Sequence, residues 1–280
     1  FSTSPGGKGA NQAVAAARLG AAVSMVGAVG DDAHGAALLE VLAAERINVT
    51  HVRTDPSVPT GVALITVCAG ESTGAERGEN TIVVAPGANA TLTPADVDRA
   101  ASTITGADAL LMQLECPVPA VTRAATLAQG HGVTVILNAA PAQRLPPDLL
   151  ALVDVLAVNR VESESVAPGR GADALPVETV IVTRGAEGAT IHRRGAMRHV
   201  AAFPVSALDS VGAGDAFMGA LATRWAEHKV ASMLDDAGIA DAMCWACAAG
   251  ALATTRAGAI PSLPARAEVA ALLRRVEAAP

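Results

Sequence analysis

Short apolar bursts alternate with longer stretches of helical periodicity along most of this chain. That alternation constrains the fold more than any other feature of the sequence. Residues 23–29, 61–67, 80–85, 109–114, 133–138, 155–159 and 180–183 read as strands. Residues 9–19, 34–46, 94–103, 118–129, 212–227, 237–255 and 264–276 read as helices. A strand-then-helix rhythm predicts an α/β fold, a doubly wound and mainly parallel sheet flanked by helices. Ligands of such sheets sit beyond the carboxyl ends of the strands. Glu115, Asn138, Asn159 and Arg184 each fall at such an end. Polar residues there can simply terminate strands, but together these four outline a cleft.

Residues 60–90 break the rhythm. Two strands flank a Gly/Glu-rich loop, 69–79, with no helix between them. This predicts a small β-hairpin projecting from the α/β body as a lid, a dimer contact, or both. The remainder, 1–280, reads as one domain with that hairpin inserted. Hydrophobic residues make up 51% of the chain, enough for a large core and too many for disorder. The net charge of −7 leaves no basic footprint for nucleic acid. No charge-free apolar run reaches membrane length. The chain opens on Phe1 without a signal peptide, and we expect an incomplete N-terminus. Four cysteines do not make a disulfide framework, so a reducing cytoplasm is the expected compartment. Cys244 and Cys247 form a CxxC with no second pair and no nearby His, and read as small core hydrophobes. Trp225 and Trp245 sit in apolar helical runs and read as core. The scattered histidines accompany no Ser or Cys motif, which leaves hydrolase chemistry without support. The segment 167–176 is Gly/Ala/Pro-rich and reads as a loose surface link.

Two glycine clusters carry the chemistry. In Asp209-Ser-Val-Gly-Ala-Gly-Asp-Ala-Phe217, Gly212 and Gly214 let backbone N–H groups crowd at a helix start, where the dipole favours an anion. Asp215 in that place fits a proton acceptor beside a phosphate, as phosphoryl transfer requires, and fits equally an ordinary acid in a first helical turn. The second cluster, Ser4-Pro-Gly-Gly-Lys-Gly-Ala-Asn-Gln12, opens an alanine-rich helix. It fails the P-loop pattern, because Gly9 rather than Ser or Thr follows Lys8, and it fails GxGxxG. It fits close approach to a polyhydroxyl ligand, with Lys8 and Asn11 bonding its hydroxyls, or a helix start with incidental glycines.

The two clusters resemble the paired signatures of the ribokinase-like (PfkB) sugar kinases. Gly30-Asp-Asp-Ala-His-Gly35, Ala88-Asn-Ala90, Leu111-Met-Gln-Leu-Glu115, Asn138-Ala-Ala-Pro141, Asn159-Arg-Val-Glu162 and Thr255-Arg-Ala-Gly-Ala259 follow in that family's order. The resemblance runs from Gly6 to about Arg266 and is strongest to the family's ribose kinases. It implies ATP-dependent phosphorylation of a pentose primary hydroxyl, D-ribose to D-ribose 5-phosphate. The alternatives are another substrate (fructose, deoxyribose, a ketogluconate or adenosine) or a catalytically silent binding protein. It implies Asp215 as base and the N–H groups of Gly212, Ala213 and Gly214 as anion hole. Gly7, Lys8, Gly9, Asn11 and Glu115 would hold the sugar. Asn159, Thr183, Arg184, Gly185, Ala186, Glu187 and Gly188 would line the ATP site, with Cys247 at the adenine. Glu162 would support Mg²⁺ through water. A K⁺ ion would lie among Asp209, Val211, Ala253, Arg256, Gly258 and Ser262, partly on backbone carbonyls. The hairpin's two exposed strand edges predict that it covers the sugar and pairs with the same element of a second chain, giving a homodimer. With 2% aromatics and no Tyr, adenine is expected in an aliphatic slot. The family opens with a strand bearing a sugar-binding Asn-x-Asp, which this sequence lacks. The stretch between Glu162 and Val177 is shorter than usual and is expected to lack its helix.

Overall fold

Uninterrupted runs of aliphatic residues form the parallel centre of the molecule. The computed structural model describes residues 3–67, 80–169, 171–230 and 235–277. The chain runs α1 (Lys8–Arg18), β1 (Ser24–Gly30), α2 (Ala33–Ala44), β2 (Asn48–Asp55), β3 (Val62–Val67) and β4 (Asn80–Ala85). It continues through α3 (Pro94–Arg99), α4 (Ala101–Thr105), β5 (Ala109–Met112), α5 (Val118–Gln129), β6 (Thr134–Asn138), α6 (Pro147–Leu150), β7 (Val155–Asn159) and α7 (Arg160–Val166). Then come β8 (Thr179–Thr183), β9 (Ala189–Arg193), β10 (Ala196–Val200), α8 (Ala213–Val230), α9 (Asp236–Ala253) and α10 (Arg266–Glu277).

The main sheet is six-stranded in the order β10-β9-β8-β7-β6-β5. Strands β5 to β8 are parallel, and β9 and β10 close one edge antiparallel. Side-chain alternation divides the core into two layers. Ile136, Val155, Ala157 and Ile181 face α1, α8, α9 and α10, whereas Val135, Leu137, Leu156, Val158, Val180 and Val182 face α3 to α6. Burial on both faces explains why β6, β7 and β8 read as continuous apolar runs. The expected α/β sheet with helices on both sides is therefore present. Strands β1 and β2 pair parallel with each other in a separate ladder.

The expected hairpin strands pair antiparallel, Val62 opposite Ala85 and Leu64 opposite Val83, as a sheet of their own. The loop expected at 69–79 lies outside the described residues.

Several elements were not anticipated. Strand β2 mixes polar and apolar residues and is only partly buried, so it gives no apolar burst. The β9–β10 hairpin turns on Arg194 and Gly195, both at positive φ, as a two-residue hairpin turn requires. Strand β10 is mostly exposed and carries Arg198 and His199, which hid it. The helix expected over 94–103 divides into α3 and α4 at Ala100. A helix does stand near Glu162: Asn159 and Glu162 form a capping box that starts α7 at Arg160. The 167–176 link contains a 3₁₀ turn at Ala172–Ala174.

Candidate active site

Helices α1 and α8 begin next to each other, and the space between their first turns is where the polar groups converge. Gly7 caps α1 at φ 101°, a conformation L side chains rarely adopt. Gly212 precedes α8 at φ 79°, and a Cβ on it would come within 3.1 Å of the Ala259 Cα. A side chain there meets both strain and backbone. At Gly214 nothing among the described residues lies within 4 Å of the Cβ position, which leaves room at the start of α8.

Asp215 lies in the first turn of α8 and is buried, 7% exposed. Its Oδ2 accepts from Asn11 Nδ2 at 2.8 Å and its Oδ1 from Gln12 Nε2 at 3.0 Å. Gln12 Nε2 also donates to Asn138 Oδ1 at 3.1 Å. Burial raises the Asp215 pKa above its ordinary value, while the Lys8 charge and the two amides pull it down. A helix start favours the ionised form of an acid; here burial shifts the balance toward the protonated form. Asn11 Oδ1 is buried and has no hydrogen-bond partner among the described residues. A buried carbonyl oxygen left so is an acceptor waiting for a donor.

Glu115 follows β5 and accepts from the Lys8 backbone N–H at 2.9 Å. Gln113 Oε1 accepts from the Glu115 N–H and braces the loop. Burial raises the Glu115 pKa, Lys8 lowers it, and Asp215 raises it. Glu162 is buried in the α7 capping box, where its Oε2 accepts from Asn159 N–H at 2.8 Å. Its pKa is raised by burial and lowered by Asn159 and Lys8. The Lys8 charge thus acts on Glu115, Asp215 and Glu162 at once and joins the two halves of the cleft.

Beyond α8 a second wall runs along α9. Thr183 ends β8, and Gly185–Glu187 form a 3₁₀ turn after Arg184. Gly188 lies directly against the Val200 backbone, and the Cys247 Sγ approaches the Val200 carbonyl at 4.0 Å. One turn further along α9, the Cβ position of Gly250 is 3.3 Å from Ala213 O. This wall therefore leads from the 183–188 turn to the start of α8. Burial pushes the Cys247 thiol up to about 12, in keeping with a small core hydrophobe.

Asp209 draws the last set of expected residues together. Its Oδ1 accepts from Val211 N at 3.0 Å and its Oδ2 from Gly258 N at 2.8 Å. The N–H groups of Leu208 and Asp209 both donate to Thr254 O. Ser262 is fully buried and donates to Ala259 O. The Arg256 side chain pairs with Glu268 rather than with Asp209. Among the described residues no group of three or more His, Cys, Asp or Glu could hold a metal by side chains alone.

Sequence reading overlooked Gln12. It stood inside the first motif without a role, yet it holds Asp215 and Asn138 together. Its signal was its spacing: one residue after Asn11, it presents a second amide on the same first turns of α1. Trp225 is buried as expected, whereas Trp245 is half-buried with the Arg224 and Arg266 guanidinium groups 4.8 and 5.3 Å from its ring centre.

This geometry has close relatives. A ribokinase of Haemophilus influenzae is 38% identical over 275 residues, covering 94% of this chain and 85% of its own. A deoxyribokinase of Salmonella typhi is 37% identical over 79% of this chain and 74% of its own. The structure of Arabidopsis thaliana ribokinase complexed with ribose and ATP superposes with a TM-score of 0.82 at 28% identity, covering 96% of this chain and 87% of that one. Residues 1–266 match the pfkB family of carbohydrate kinases, and the chain belongs to that family.

Proposed function

We propose that this sugar kinase transfers the γ-phosphoryl group of ATP to the primary hydroxyl of D-ribose, forming D-ribose 5-phosphate. The observation that carries the reading is Asp215, buried at the start of α8 and held through both oxygens by Asn11 and Gln12. In that position the carboxylate takes the hydroxyl proton as the oxygen attacks phosphorus. The N–H groups of Gly212, Ala213 and Gly214 receive the charge that spreads over the phosphoryl oxygens. Gly7, Lys8, Gly9, Asn11 and Glu115 hold the sugar, with Asn11 Oδ1 accepting from a sugar hydroxyl. A carboxylate and an unpartnered amide oxygen beside the cleft suit a polyol with several donors. ATP lies along Asn159, Thr183, Arg184, Gly185, Ala186, Glu187 and Gly188, and its adenine meets Cys247 in an aliphatic slot.

Mg²⁺ supplies charge neutralisation on the ATP phosphates when bound; Glu162, buried beside Asn159, suits a water-mediated contact. K⁺ would be held at the loop that Asp209 closes, with Val211, Ala253, Arg256 and Gly258 offering backbone carbonyls beside buried Ser262. There it would brace the Gly212 turn rather than touch phosphate. We further propose a homodimer formed through the hairpin, and a cytoplasmic location on the ground of the four cysteines that form no disulfide framework.

ATP consumption with D-ribose, deoxyribose, fructose, a ketogluconate and adenosine tests the reading. D-ribose should give the highest kcat/KM, and K⁺ should raise the rate over Na⁺ at matched ionic strength. A higher kcat/KM for deoxyribose would move the assignment toward the Salmonella relative. No turnover with any of the five would overturn it.

A further inference from the structure

Arg18 lies at the far end of α1 from the site, and its guanidinium makes four hydrogen bonds, two to a turn and two to a carboxylate. Nη1 donates to the carbonyls of Ile260 and Leu263, each at 2.8 Å. Nε and Nη2 donate to Glu45 Oε1 at 2.9 and 2.6 Å. The two carbonyls belong to the turn around Ile260–Ser262, which has no regular structure beyond one 3₁₀ turn to hold it. Ala259, at the head of this turn, is the residue that meets the Gly212 Cβ position, and the neighbouring Gly258 N–H binds Asp209.

These contacts close a ring. Asn11 and Gln12 at the start of α1 hold Asp215. Asp215 continues the Gly212–Gly214 turn, and Gly212 leans on Ala259. The 259–263 turn hangs from Arg18, and Arg18 ends α1. Across the middle of the ring, α1 and α8 touch through Gly219, whose Cβ position is 2.5 Å from Ala15 Cβ and 2.8 Å from Gln12 O. Arg18 ties the backing turn by hydrogen bonds to the helix that orients the base, beside the apolar packing of Ile260 and Leu263. A planar fork with donors in fixed directions suits two carbonyls and a carboxylate together, which a lysine ammonium cannot span.

We infer that Arg18 is a positioning residue for phosphoryl transfer, setting the Gly212–Gly214 turn against Asp215 by way of the Ile260 and Leu263 carbonyls. The inference rests on the kinase reading above. Asn11 and Glu115, which would bind sugar, lie at the other end of α1. Loosening the turn therefore acts on the transition-state charge more than on sugar binding, and should appear in kcat rather than in KM.

The test measures ATP-dependent ribose phosphorylation by the full chain and by four variants. They are Glu45→Gln, Arg18→Lys, Arg18→Gln and the double Arg18→Gln/Glu45→Gln, which leaves no uncompensated carboxylate. Rates are normalised to the folded fraction from thermal melts. Glu45→Gln should keep the parent kcat, because its amide oxygen still accepts from Arg18. The Arg18→Gln single variant and the double variant should each lose about tenfold or more in kcat, with KM for ribose within about threefold. Arg18→Lys should fall with them. A double variant whose kcat per folded molecule stays within about twofold of the parent overturns the inference, and so does a rise in KM that accounts for the loss. A parent that phosphorylates no sugar removes the kinase reading and this inference with it; an active parent with an unaffected double variant removes the inference alone.

Discussion

Asp215 combines two properties that pull against each other. Burial makes its charged form costly, and the same burial makes it a stronger base. Its folded pKa lies above the unfolded value of 3.8, so the folded chain binds the extra proton. The resulting stability is present at low pH and is lost as pH rises through the folded pKa. Asp215→Asn should accordingly keep or raise the melting temperature at neutral pH. It should also cost about 10²–10⁴-fold in kcat with near-normal ATP and sugar binding, since an amide cannot accept the proton. Near-parent turnover in that variant would refute the role given to Asp215. Activity should fall on the acid side as Asp215 protonates, at a higher pH than an ordinary aspartate would give. Gln12→Leu removes one of the bonds that hold this pKa down, so the acid limb of kcat/KM against pH should move further up. A limb that stays put would mean another group controls it. Asp215, Asn11 and Glu115 were legible as candidates from motif alone. Gln12 was not, because an amide inside a motif has no distinctive chemistry until its partners are known.

At the scale of elements, the decisive contact is between α1 and α8. Gly219 lets the two backbones touch, and it lies one turn after Asp215 on α8. Gly219→Ala must push α8 away from Ala15 and Gln12. We expect a loss of about 1–3 kcal/mol in stability, read by denaturant unfolding. We also expect a drop in kcat, because the base moves relative to the two amides that aim it. Full activity at reduced stability would show that the α1–α8 distance does not govern the chemistry. Nothing in the sequence singled out Gly219; a glycine inside an apolar helix looks like a small core residue until its neighbour is known. The same limit hid β2 and β10, whose polar residues gain a strand conformation from pairing and not from their own pattern. Helix α7 was hidden for another reason. It is short, and its start is fixed by the Asn159–Glu162 capping box rather than by an apolar stripe.

For the whole molecule, the hairpin presents apolar side chains that its own chain leaves exposed. Val62, Leu64 and Val83 are 43%, 59% and 62% exposed, and Leu64 opposes Val83 on one face of the pair. A two-stranded sheet with such a face and unpaired edges invites a second copy. The double variant Leu64→Lys/Val83→Lys should shift the protein from dimer to monomer in sedimentation velocity. A parent chain that sediments as a monomer at micromolar concentration would remove the dimer proposal. The alternation of strand and helix patterns by itself determined the α/β class, the parallel centre and the polar strand ends, because each of those follows from local periodicity and side-chain type. The ordered motifs determined the family. Only the tertiary structure decided that Lys8 acts on three carboxylates at once, that Asn11 and Gln12 share Asp215, and that Arg18 suspends the turn behind Gly212. Those relations join residues far apart in sequence, and burial sets the Asp215 and Glu115 pKa values through atoms that no local pattern contains.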